Sequence, residues 1–171
     1  IQRWGAGFDT VDIAAAGKRG IPVAVTAGMN ATPVSEMALA LMLAVYRNVV
    51  PMTLDAMDGT WSRETYAKRS YTVSGKTVGI VGTGHIGCAA ARLFRAFGAR
   101  VLGYARHESA AAREAGVEFV GLGELLASSD IASLHLPLND ETRGWFDADK
   151  ISAMRDGAVL VNCARGAVVD N

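Results

Sequence analysis

Cysteine is scarce in this chain of 171 residues: Cys88 and Cys163 are the two present, far apart and outside any C-x-x-C. That argues against a disulfide framework or a thiolate zinc site, and makes a reducing cytosol the expected compartment. A surplus of charge is missing too, because seventeen basic residues balance seventeen acidic ones. Such a balance leaves no electrostatic footprint for nucleic acid or an anionic membrane. Long apolar runs are also lacking. The longest, Met37 to Tyr46, falls well short of the roughly 20 residues that span a bilayer. No secretory leader is visible, although the abrupt opening at Ile1 is what removal of a preceding segment would leave.

What is present is apolar residues, half of the total, enough for a sizeable core. The length suits one domain, or one domain with a piece of another. The stretch that organises the rest is Thr77 to Tyr104. A short, branched apolar run at Val78 to Val81 reads as a buried strand and leads directly into Gly82-Thr83-Gly84-His85-Ile86-Gly87. A helical pattern follows, with Ala89, Leu93, Phe94 and Phe97 on one face and Gly98 as its stop, and then a second strand at Arg100 to Tyr104. A G-x-G-x-x-G alone is weak, but strand, glycine loop, helix and strand in that order form the dinucleotide-binding context. In that context Gly82 permits the tight turn, Gly84 admits the pyrophosphate and Gly87 lets the helix approach the sheet. The anion would rest on the amides of His85 and Ile86 at the positive end of the helix. The competing reading is a glycine turn that only packs closely.

Before this unit, Ile1 to Trp4 reads as a strand end, followed by the turn Gly5-Ala6-Gly7 and a short helix from Asp12, stopped by Gly17. Ile21 to Val25 reads as a strand. One helix and two strands are too small a core to stand alone, so residues 1–30 are expected to be the remnant of a second lobe. Residues 31–171 are expected to form the dinucleotide-binding domain, unfinished at its C-terminus. Thr32, Pro33 and Glu36 carry helix-start chemistry as cap, first position and first-turn acid, and Pro51 is expected to end that helix near Val50. Being apolar nearly all round, the helix is expected to be buried between lobes or subunits. A weakly patterned linker follows from Met52 to Ser74. After the nucleotide unit, helices at Glu108 to Ala115, Leu122 to Ala127 and near Ala148 to Ala153 alternate with strands at Val117 to Val120, Ile131 to Leu136 and Ala158 to Val161. Such alternation makes an α/β doubly wound parallel sheet.

With strand order 3-2-1-4-5, the ligand crevice lies beyond the strand ends. Gly82 to Gly87, Leu136-Pro137 and Asn162 to Gly166 should line it. Arg165 is the one guanidinium on the last of these loops; it is either a solvated turn residue or a fork for a carboxylate. An NAD site usually places an acidic residue at the end of the second strand to hold the ribose diol. Here Cys88 to His107 contains no Asp or Glu, and the strand ends in Tyr104-Ala105-Arg106-His107. Arg106 is placed to meet a 2′-phosphate, which favours NADP; the alternative is an exposed Arg106 and an NAD site built from other contacts. His85 is read as a backbone donor, and His107 either assists Arg106 or lies in solvent. His135 reads either as a pyrophosphate contact or as a packed ring, and Cys163 as a small buried residue beside the nicotinamide pocket.

GAGFDTVD, the Val34-Ser35-Glu36 helix start, GKTVGIVGTGHIG, SLHLPLNDETRGWF and LVNCARGAVVD together resemble the D-isomer-specific 2-hydroxyacid dehydrogenases, over essentially the whole chain. The resemblance implies two lobes with the active site between them, NADP or NAD as cofactor, a small 2-keto or 2-hydroxy acid as substrate, and a homodimer formed through the Pro33 to Val50 helix. It implies that Ala6 and Gly7 cradle the substrate carboxylate through their amides. Arg165 would be the catalytic arginine, and Pro137, Thr142 and Cys163 would touch the cofactor. Ala105 stands where NAD-using members often carry Asp. The family's acid/base histidine and its glutamate lie beyond the arginine motif, and none of the three histidines here matches the former. Two other functions stay open: a non-catalytic nucleotide-binding regulator, as in the family's corepressor relatives, and a formate or phosphite dehydrogenase.

Overall fold

A computed structural model describes residues 1–61 and 63–170. Ser62, inside the expected linker, and Asn171, at the end of the expected dinucleotide domain, lie outside the described residues. Five parallel strands form the main sheet: β3 (Thr77–Val81), β4 (Arg100–Tyr104), β5 (Glu118–Phe119), β6 (Ile131–Leu134) and β7 (Val159–Asn162). Their spatial order is β5-β4-β3-β6-β7, so the chain winds outward both ways from a central β3, as the alternation of elements predicts. Register is continuous through the centre, with Val81 opposite both Tyr104 and Leu134. Val78 to Val81 and all four residues of β6 are buried, the sign of strands covered on both faces.

One face of the sheet is covered by α5 (His85–Ala96), with α2 (Ala31–Tyr46) packed on α5. The other face carries α7 (Leu122–Ser128), together with the layer around Phe146 and Val168 that follows β6 and β7. Of the expected face, Phe94 is fully buried and Ala89 and Leu93 are half-buried, but Phe97 is exposed, and the buried side of α5 is Gly87, Cys88, Ala90, Ala91 and Phe94. Small residues decide this rotation: a Cβ at Gly87 would overlap the Gly82 carbonyl oxygen, so the helix turns its slimmest side to the strand. Gly98, at φ +81°, ends α5 as expected.

Both prolines near α2 lie in the first turn of a helix, Pro33 close to the expected start and Pro51 where a stop is expected. α2 opens at Ala31 with Asn30 in the cap position, which puts Pro33 third. The break comes at Asn48 (φ 52°), and α3 (Val49–Met57) then carries Pro51 at its third position. First-turn residues need no intrahelical amide partner, so proline fits either place. Asn48 steadies the break by donating from Nδ2 to Arg69 O and Ser70 Oγ (3.1 and 3.2 Å). The segment read as a linker therefore holds most of α3 and also α4 (Arg63–Ala67). Only one stripe of α2 is buried (Ser35, Ala38, Leu39, Met42, Tyr46), while Met37, Leu41 and Val45 are exposed.

The N-terminal segment makes a separate two-stranded parallel sheet, β1 (Gln2–Arg3) with β2 (Ala24–Val25), around α1 (Ile13–Lys18). The strand expected from Ile21 shrinks to two residues because Pro22 brings no N–H to a ladder. Gly20 (φ +65°), not Gly17, follows the helix end in the left-handed region. The remaining elements, α6 (Ala110–Glu114) and α8 (Ala148–Ser152), fall inside their expected ranges. Among the described residues no single helix is long and apolar enough to cross a membrane.

Candidate functional site

The carboxyl ends of β3, β4, β6 and β7 meet at one rim, and each contributes a loop. The first is the glycine loop. Gly82 (φ +93°) donates its amide to Tyr104 O (2.9 Å), and a side chain there would strike the His135 carbonyl. Gly84 is exposed with open space where its Cβ would point, and α5 begins at the next residue. The amides of His85, Ile86 and Gly87 are first-turn amides without intrahelical acceptors. The open space beside Gly84, at the positive end of a twelve-residue helix, fits a diphosphate.

Ala105 is partly buried beyond β4, and Arg106 and His107 are exposed. Arg106 Nη1 donates to Glu141 Oε2 at 2.7 Å. Below that pair the Tyr104 and Trp145 rings stack at 6.3 Å with planes 10° apart. After β6, Pro137 is exposed and Thr142 is buried. The Thr142 hydroxyl donates to Pro137 O (2.6 Å) and accepts from Asn139 N–H (2.9 Å), so it fixes the loop's turn. His135 shares a hydrogen bond with Ser133 Oγ (2.9 Å), while its Nδ1 is sealed from solvent without a partner. Burial pushes its pKa down to about 4, so the ring is neutral near pH 7. Between the two readings of His135, these contacts describe a packed ring.

After β7, Cys163 is half-buried against the core around α5, and burial pushes its thiol pKa up. Asn162 Oδ1 accepts from Ala164 N–H and its Nδ2 donates to Arg165 O, shaping the turn that presents Arg165. The guanidinium reaches back to the start of the chain. Nε donates to Asp9 Oδ1 and Oδ2 (3.2 and 3.3 Å), Nη2 lies 3.1 Å from Oδ1, and Nη1 donates to Ala164 O. Nη2 also fills the space a side chain at Gly7 would take, so Arg165 and the Ala6-Gly7 turn are neighbours in space. Hydrogen bonding to Arg165 holds the Asp9 carboxyl below its ordinary pKa. On the other side of the crevice, a side chain at Gly28 would touch the exposed His85 ring.

Sequence reasoning names Arg165 and Arg106 but not their ionic partners Asp9 and Glu141. Asp9 stands 156 positions before Arg165, and no local spacing links them; only the GAGFD stretch that contains it points there. A cavity of about 430 Å³ between Tyr46, Tyr71, Lys76 and Arg155 lies at the amino ends of the strands, away from this rim. In doubly wound sheets the ligand end is the carboxyl one.

The family model for the NAD-binding domain of the D-isomer-specific 2-hydroxyacid dehydrogenases matches residues 39–171. A hydroxypyruvate reductase of Thermotoga maritima is 37% identical over 99% of the chain and 54% of its own length. Among solved structures, the formate dehydrogenase of Granulicella aligns with TM-score 0.90 and 36% identity, over 99% of this chain and 46% of that one. A D-lactate dehydrogenase of Aquifex aeolicus, complexed with NAD and lactic acid, aligns with TM-score 0.86 and 33% identity, over 96% and 49%. The chain thus spans about half the length of these proteins. Glycine loop, doubly wound sheet and sequence relatives agree: the chain belongs to the D-isomer-specific 2-hydroxyacid dehydrogenase family, in its NAD-binding domain.

Proposed function

We propose that this chain is the cofactor-binding part of an oxidoreductase that interconverts a small D-2-hydroxy acid and its 2-keto acid, with NADP favoured over NAD. The observation that carries the reading is the approach of Arg165 to the Gly7 turn, at the same strand ends as the glycine loop. In this reading the amides of His85, Ile86 and Gly87 hold the diphosphate in the open space beside Gly84, while Gly82 makes the turn. Ala105, Arg106, Pro137, the turn closed by Thr142, and Cys163 line the remainder. A nicotinamide cofactor held there would supply hydride exchange with C2 of the substrate.

The chain's own residues bind and polarise. Arg165 offers a planar fork of donors suited to a carboxylate and to the developing charge on the 2-keto oxygen. The amides of Ala6 and Gly7 add donors for the carboxylate. Asp9, which now holds the guanidinium, supplies the anionic contact that a substrate carboxylate would join or replace. His135 is packed and bonded to Ser133; the proton at the substrate oxygen is assigned to the histidine–glutamate pair that the family carries beyond the arginine motif. NADP is supported by the absence of an acidic residue from Cys88 to His107 and by the exposed Arg106. The exposed apolar stripe Met37, Leu41 and Val45 on α2, next to Val49 and Val50 on α3, supports a homodimer. The compartment this reading expects is the cytoplasm.

In the longer protein that carries this chain, Arg165→Lys is expected to lower kcat/KM for 2-keto acid reduction by about two orders of magnitude, because the paired donors are lost. Near-unchanged turnover rejects the assignment of Arg165. A second reading, a formate-type donor, is favoured by the likeness to the Granulicella formate dehydrogenase. Turnover of formate in place of any 2-hydroxy acid would establish it.

A further inference from the structure

Arg106 is exposed but ion-paired. Its Nη1 is 2.7 Å from Glu141 Oε2, and the two come from strands that are not neighbours, since β3 runs between β4 and β6. The ion pair therefore joins the loops on either side of the glycine loop. Both ends are anchored. Asn139 Oδ1 accepts the N–H groups of Glu141 and Thr142 (3.0 Å each), which sets the backbone at Glu141. Trp145, four residues on, stacks against Tyr104, two residues before Arg106. The loops are held by packing while the charged tips stay wet, with side chains 66% and 71% exposed.

We propose that Glu141 is a specificity-determining residue for the cofactor: its carboxylate occupies the guanidinium that a 2′-phosphate needs and so restrains NADP binding relative to NAD. The proposal rests on the reading of Arg106 as the 2′-phosphate contact. A 2′-phosphate brought to Arg106 competes with Glu141 for Nη1, the one donor the carboxylate holds, and also meets the repulsion of its charge. NAD, with a neutral ribose hydroxyl there, has no need to break the pair. Exposed ion pairs are weak, so the restraint is worth about a two- to fivefold change in relative affinity and is screened by salt.

Isothermal titration of the chain with 2′,5′-ADP and 5′-AMP tests this, because the two probes differ only in the 2′-phosphate. Glu141→Gln is expected to raise the affinity ratio of 2′,5′-ADP over 5′-AMP by about two- to fivefold, a gain that fades at about 0.5 M salt. Glu141→Arg, which adds a second cation, is expected to raise it by about tenfold. Arg106→Ala should bring the ratio down, and Glu141→Gln added to it should change nothing further. An unchanged or lower ratio in Glu141→Gln, with the ratio still lost in Arg106→Ala, overturns the role of Glu141 and leaves that of Arg106 standing. A ratio indifferent to both overturns both. Absence of binding by 2′,5′-ADP would overturn the proposal together with the reading of Arg106 as a 2′-phosphate contact, and would leave the diphosphate site, which neither probe fills, standing. Since both side chains are mostly exposed, folding is expected to survive each substitution, and far-ultraviolet circular dichroism verifies it.

Discussion

The β3–α5–β4 unit and the N-terminal segment use the same local plan, a strand, a glycine-rich turn and a helix, yet they are held by different forces. In the first, Val78, Ile80, Val81, Val101 and Leu102 are buried to within 1% exposure and Phe94 packs between sheet and α2, so apolar burial fixes the geometry. In the second, β1 and β2 are two residues long, and Trp4, Phe8 and Ile13 are exposed. What ties that segment to the rim is polar, the Arg165–Asp9 pair above all. Close approach of backbone in the nucleotide unit comes from a dry interior, whereas the Gly7 turn is placed by a wet ion pair. The first should be insensitive to solvent conditions, the second sensitive to them.

The sharpest way to break this contrast is Phe94→Ala. Removing a fully buried ring should destabilise the chain by about 3–5 kcal/mol, read by denaturant unfolding; a small loss would mean the core does not depend on the α5 seam. Acidification comes next. With a folded-state pKa of about 4 for His135 against 6.5 when unfolded, the unfolded chain binds more protons between those values. Stability should therefore fall as pH drops from about 6.5 to about 4, by about 3 kcal/mol at the acid end, and His135→Gln should flatten that slope. The smallest effect belongs to Asp9→Asn. The global unfolding midpoint should stay where it is, while amide exchange at Gly7 to Thr10 quickens. The wild type should show the same local loosening as pH falls through the lowered Asp9 pKa, because the carboxylate tether is present above it and lost below. Unchanged exchange in Asp9→Asn would show that packing, not charge, seats the turn.

Much of the nucleotide unit was legible because each of its features is local. A buried strand, three spaced glycines and a helix stop at Gly98 lie within about two dozen positions, and hydrophobic period alone orders them. The rotation of α5 departs from its periodicity, which holds at Phe94 but not at Phe97, for an equally physical reason. Periodicity ranked Leu93 and Phe97 by hydrophobicity, but the close contact between Gly87 and the Gly82 carbonyl turned the small side of the helix inward. Pro51 misled in the same manner, because a proline at a helix end and one in a first turn look alike until the left-handed Asn48 is seen.

By itself the sequence determined the parallel doubly wound order, the glycine loop and the presence of Arg165 beyond the last strand, since these follow from patterns a few residues wide. Only the tertiary structure decided that Arg165 meets Asp9, that Arg106 meets Glu141, and that the Thr142 hydroxyl is spent on its own turn. Those pairings depend on which strand ends lie side by side in space, and a charge carries no mark of its partner until the sheet has brought the two together.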